Sequence, residues 1–341
     1  LIGELFPSGL RKRVLAVVSS TWGIAALIGP AVGGIFAQLG SWRGAFWINV
    51  PIVLFFVLAC LRLPKKPRKE GALRFPYVQL VLMTTGVVAV ALCGQVKFAA
   101  AQIGLLFAAG AAVALAMRLD HASETRMFPS HPLSLTRPVG TAYWILALSS
   151  ITHAVIGAYL PLSMQILHGV SDQAAGYAVT GLALSWTVAS MITSHIHGQA
   201  ALRSIVIGQI LCLIGLSGMA LAIADLPFAA IVSLNVVVGF GLGSSNLHLV
   251  EATMRHAPEG EQTTTAGAIP TLRSLGIAFG SAGAGVIANH AGLTDQLAYA
   301  DVQHATQWVL GIGALAPLSA MLLSWRFVQM VGVRARSAAA D

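Results

Sequence analysis

The chain alternates long apolar stretches with short polar ones, and the apolar stretches are nearly uniform in length. Ten of them run over 14–39, 44–61, 75–96, 98–117, 138–167, 173–194, 204–224, 226–250, 266–288 and 305–325. A helix needs about 20 mostly apolar residues to cross the hydrocarbon core of a bilayer. Nine of the stretches contain no Asp, Glu, Lys or Arg, and the exception holds Arg273. The pattern predicts about ten membrane-crossing helices in an all-α, multi-pass transmembrane bundle. The stretch 138–167 is long and reads as interrupted by Pro161.

The connecting segments carry a strong charge bias. With the N-terminus inside and the sides alternating, 17 of the 20 Lys and Arg residues fall in inside segments. The outside loops hold only Arg43 and Lys97. Cytoplasmic loops of membrane proteins collect such residues, so both termini are expected in the cytoplasm of a cell (inner or plasma) membrane protein. The net charge of +8 is therefore a topology signal. It adds attraction to anionic membrane lipids and does not call for nucleic acid as a partner. Composition agrees: 56% of residues are hydrophobic and 9% charged, against about 25% charged in soluble domains.

Cofactor and metal chemistry find little support. Cys60, Cys93 and Cys212 lie far apart in apolar stretches, which is neither a disulfide framework nor a metal pattern. His195 and His197 form an HxH pair with no acid or Cys nearby. Gly239-Phe240-Gly241-Leu242-Gly243 lacks the third glycine position of a dinucleotide loop, which Ser244 occupies. No cofactor, no metal and no enzymatic cluster are expected.

Gly29-Pro30-Ala31-Val32-Gly33-Gly34 sits inside the first apolar stretch. Proline there leaves the carbonyl of Ala26 without its helical partner, and glycines four apart allow another helix to approach closely. Next come Trp42-Arg43-Gly44-Ala45-Phe46-Trp47-Ile48-Asn49-Val50-Pro51. Farther on stand Tyr159-Leu160-Pro161-Leu162 with Gln165 and Gly169, then Gly239–Gly243, then Arg273-Ser274-Leu275-Gly276 with Gly280. Together these resemble the major facilitator superfamily, and within it the drug:proton antiporter branch with fourteen spans. The Gly29–Gly34 segment is similar to the antiporter motif of the fifth helix. Trp42, Arg43, Asn49 and Pro51 match the motif that follows it, with Gly44 in place of a second Trp.

The resemblance implies a fold lacking its first four helices. Residues 1–63 would hold the last two helices of the N-terminal half, and 64–137 the cytoplasmic linkers and two extra spans. Residues 138–341 would form the C-terminal six-helix half. It further implies a monomeric secondary transporter that exports drugs or other amphipathic small molecules in exchange for protons, by alternating access. The alternatives are transport of another solute, such as a metabolite, sugar or siderophore, and a non-transporting remnant.

Ionisable and amide residues inside spans are the candidates for cavity or coupling roles. Arg273 could contact substrate, pair with Glu251, or reach lipid phosphates. His153 could shuttle protons or bond between helices. Asn235, Asn246 and His248 give their span a polar surface that either lines a water-filled cavity or joins helices. Gln165 completes the set.

Overall fold

The computed structural model describes residues 25, 28–29, 32–36, 39–62, 76–94, 96, 98–123, 126–293 and 296–337. All secondary structure among them is helical. In chain order the elements are α1 (Gly44–Trp47), α2 (Asn49–Leu61), α3 (Tyr77–Cys93), α4 (Ala99–Ala122), α5 (Pro138–His168) and α6 (Asp172–Thr193). They continue with α7 (Gly198–Ala222), α8 (Phe228–Arg255), α9 (Gln262–His290), α10 (Tyr299–Gly313) and α11 (Leu315–Ser337). Among the described residues, 8 helices are long and apolar enough to cross a membrane, and Tyr77–Cys93 is a shorter apolar helix. These account for nine of the ten expected stretches. The first, 14–39, lies largely outside the described residues, and so does Pro30.

One expectation needs correcting. Pro161 does not interrupt its helix, and α5 runs unbroken from Pro138 to His168. Proline frees one carbonyl in the turn before it, which a membrane helix tolerates when neighbouring groups absorb the change. Here Ser163 Oγ lies 2.8 Å from both the Tyr159 carbonyl and Thr306 Oγ1, tying that turn to α10. The last stretch is one span, Tyr299–Gly332, with one local break in its helix. It is stepped at Ala314, between α10 and α11. Pro317 supplies the reason, since its ring leaves the Gly313 carbonyl without an N–H donor.

Helices α5 to α11 pack on one another, with the closest associations between α8 and each of α6 and α7, and between α5 and α9. Helices α3 and α4 form a pair that reaches the bundle through α9. Short turns set the order. α5 ends on Gly169, whose φ of +63° a side chain would strain. The Gly169 N–H donates to the Gln165 carbonyl at 3.1 Å and Val170 N–H to Met164 at 3.4 Å, closing the helix end. Ser171 then caps α6 by accepting from Ala174 N–H.

The bundle core falls into two apolar layers. One gathers Val155, Leu160, Leu216, Val238, Ala284 and Val309 with their neighbours. The other gathers Tyr143, Leu146, Ile205, Leu249, Leu272 and Phe327 with theirs. On α5, α7 and α8 the change from one layer to the other spans 146–155, 205–212 and 242–249. Those intervals hold Ser149, Ser150, Thr152 and His153 of α5, Gln209 of α7, and Ser244, Ser245, Asn246 and His248 of α8.

Candidate functional site

Glycines bring the helices of this middle level together. A side chain on Gly243 would collide with the Trp186 backbone of α6, its Cβ falling 2.8 Å from Trp186 Cα. Gly239 meets Leu182 and Ser185 of the same helix. Gly241, on the opposite side of α8, meets Gly208 and Cys212 of α7. Gly276 and Gly280 of α9 abut Ala147, Ser150 and Ile151 of α5 in the same way. Small residues at this spacing let backbones approach, which is how membrane helices gain packing without a hydrophobic drive.

Between the two apolar layers lies a belt of polar side chains. Gln209, fully buried on α7, is its hub. Its amide donates to Ser149 Oγ of α5 at 3.1 Å and to Ser245 Oγ of α8 at 2.8 Å. Beside it, the Arg273 guanidinium of α9 donates to Asn246 Oδ1 of α8. His153 of α5 contacts the edge of Trp186 on α6, with ring centroids 6.3 Å apart. His248, one turn beyond Ser245, is 2% exposed. Five helices thus contribute to one level, with a single fixed charge, Arg273, among its named members.

The sequence candidates separate under this geometry. His153, Asn246, His248 and Arg273 come together in or beside the belt. Asn235 lies elsewhere: it is fully buried in the apolar layer, where its amide donates to the Ala178 carbonyl of α6 at 2.9 Å. Gln165 sits in the last turn of α5, where its carbonyl accepts the capping bond from Gly169. Arg273 does not pair with Glu251, which instead meets Arg255 at 2.6 Å one turn along α8. Gln209 was not singled out from sequence, although it is the one amide in an otherwise apolar stretch.

The motif at the start of the chain forms a corner. The Arg43 guanidinium stacks over Trp42, 4.5 Å from its ring centre. Asn49 Nδ2 donates back to the Ala45 and Phe46 carbonyls, at 3.1 and 3.3 Å, across the break between α1 and α2. Pro51 sits in the first turn of α2, where a missing N–H costs nothing. Among the described residues nothing lies within 4 Å of a side chain built at Gly29 or Gly33, whereas Gly34 faces Gln173 of α6.

A second feature adjoins the belt. A cavity of about 470 Å³ opens at the end of the bundle where α8 finishes and α7 begins. Its walls include His197, Gln199, His248, Glu251, Arg255 and Val331.

Glycine-packed apolar helices enclosing an inner polar belt define a multi-pass membrane helical bundle. The sequence profile described as Major Facilitator Superfamily matches residues 1–281. The chain belongs to that family. It is 30% identical over 310 residues to a "Probable multidrug-efflux transporter" of Mycobacterium tuberculosis strain H37Rv, covering 85% of this chain and 64% of that protein. Multidrug resistance protein 3 of Bacillus subtilis is 26% identical over 82% of this chain and 56% of its own length. A riboflavin transporter of Clostridioides difficile is 24% identical over 83% of this chain and 62% of its own length. The chain thus spans less than two thirds of the length of these relatives.

Proposed function

We propose that this protein is a secondary active transporter that exports amphipathic small molecules, in exchange for protons, by alternating access. The observation that carries the reading is the inner belt. A soluble-type bundle of this apolarity would fill its middle with hydrocarbon. This one places Ser149, Gln209, Ser245, Asn246 and Arg273 there, on four helices that meet through glycines. Such a level is where major facilitator proteins hold cargo between their two halves. Helices α5 to α11 correspond to one half, α1 and α2 to the end of the other, and α3 and α4 to an inserted pair.

Two multidrug proteins among the relatives favour amphipathic cargo. The riboflavin relative favours a second reading, a flat polar metabolite on the same belt. The charge bias supports an inside face at the end carrying Arg137, Arg203 and Arg255, since Arg137 caps the start of α5, Arg203 lies in the second turn of α7 and Arg255 ends α8. The protein then sits in the cell membrane with both termini in the cytoplasm, working as a monomer.

Efflux from cells expressing the full-length gene tests this. Ethidium and riboflavin are loaded and their loss is followed with and without an uncoupler. Uncoupler-sensitive loss of either probe, beyond that of vector controls, is the expected result. Loss at the vector rate for a wide compound panel would discard the reading.

A further inference from the structure

The cavity at the α7–α8 end of the bundle has an unusual inner wall. His248 is 2% exposed, and neither of its ring nitrogens makes a hydrogen bond among the described residues. A buried imidazole left in that state is costly unless water reaches it. The cavity that it lines holds about 470 Å³, and a water occupies about 30 Å³ in the liquid. Both nitrogens have almost no free surface in this state, so cavity water reaches the ring only when the wall around it opens.

What lies on either side of the ring matters more. Ser245, His248 and Glu251 recur at three-residue intervals and share one face of α8. Ser245 belongs to the belt through Gln209. Glu251 lines the cavity with a side chain 45% exposed, paired with Arg255. The groups facing His248 are Glu251, Arg255 and His256 from α8 and His197 from the turn before α7. Gly198, Gln199, Ala201 and Leu202 of α7, Ala252 of α8 and Val331 of α11 complete that wall without a titratable group, and the Thr193 backbone at the end of α6 also faces the ring. Asn246, two positions from the ring, holds Arg273.

We propose that His248 is the proton-carrying group of this transporter, exchanging with the cavity beside Glu251 and facing the belt through Ser245 and Gln209. The neutral imidazole takes one proton from water and becomes imidazolium. Returning that proton to water restores it, and no other group changes state. The imidazolium forms one turn from Ser245, so the Ser245–Gln209 end of the belt is set differently in the two protonation states. This gives proton and cargo a reason to alternate. The inference rests on the proton-coupled reading above.

The test uses the full-length protein in proteoliposomes with ethidium and riboflavin as probes. Two rates are compared: accumulation driven by an imposed pH gradient, and counterflow exchange at equal pH. His248→Gln should lose gradient-driven accumulation and keep counterflow. Glu251→Gln should keep both but displace the pH dependence of the gradient-driven rate. Gradient-driven accumulation at the wild-type level in His248→Gln overturns the inference. If His248→Gln has lost counterflow as well, Glu251→Gln decides: a displaced pH profile supports the inference and an unchanged one overturns it. A wild-type protein with counterflow but no gradient-driven accumulation sinks proton coupling as a whole, and is thereby distinguished from failure at His248 alone.

Discussion

Helices α2 and α8 show what buries a helix in this molecule. The span Gly44–Leu61, which includes α2, has a mean hydropathy of 2.3, yet 0% of its window is buried among the described residues. Phe228–Arg255 has a lower value, 1.7, and 50% of its window is buried. In water the order would be reversed. In a bilayer lipid tails are as apolar as Leu, so hydrophobicity does not choose between lipid and protein neighbours. What chooses is the presence of glycine and amides. α8 carries Gly239, Gly241, Gly243, Asn235 and Ser245 at its contacts, whereas Phe55 and Phe56 of α2 are 75% and 66% exposed.

Substitutions can break this contrast, beginning with the largest effect. Gly243→Leu drives a side chain into the Trp186 backbone and should cost about 1–3 kcal/mol, the usual range for overpacking. It should show as a lowered melting temperature in detergent and poor recovery from membranes. Gln209→Leu removes the hub of the belt while keeping its volume. Its loss should be smaller, about 1–2 kcal/mol for interhelical hydrogen bonds in membranes, and a double-mutant cycle with Ser245→Ala should show the two effects to be non-additive. Arg273→Leu should leave melting close to wild type and impair efflux, because the half-buried guanidinium serves the belt more than the packing. Efflux at the wild-type rate would remove Arg273 from the site. At the far end of the scale, Phe55→Ala in α2 should change melting by less than about 0.5 kcal/mol, as expected of a side chain 75% exposed among the described residues. A large loss there would mean that α2 is covered by protein.

The same contrast explains what could be read from sequence. The spans were legible because twenty apolar residues in a row have few other uses. Their ends were less so: α8 continues past the apolar run through Glu251 to Arg255, because a helix need not stop where lipid stops. Gly276 with Gly280 could be read as a contact stripe from their spacing. Arg273 was visible as a lone cation, but its partner was not. Glu251 has the complementary charge, and Asn246 is the acceptor that geometry supplies. Gln209 escaped because a single amide has no periodicity, and its importance arises only when Ser149 and Ser245 arrive from other helices. Asp120 escaped for a different reason. In a segment that reads as a linker, it is 2% exposed and accepts from both Met127 and Phe128 N–H, at 2.7 and 2.8 Å.

That linker has a consequence for the order of synthesis. Ser130 donates both its N–H and its hydroxyl to one oxygen of Glu261, at 2.7 and 3.0 Å, and Arg126 lies 3.7 Å from the other. Glu261 is 131 residues downstream of Ser130. While a ribosome is still making α5 to α8, the loop that precedes them can fold around Asp120 and bond to Thr141 and Trp144 of α5, but Ser130 and Arg126 still lack their partner. Its clasp closes only when the residue ahead of α9 has been made, after four more long helices have entered the membrane. A nascent chain arrested before residue 261 should therefore expose this loop to a protease that the finished protein resists.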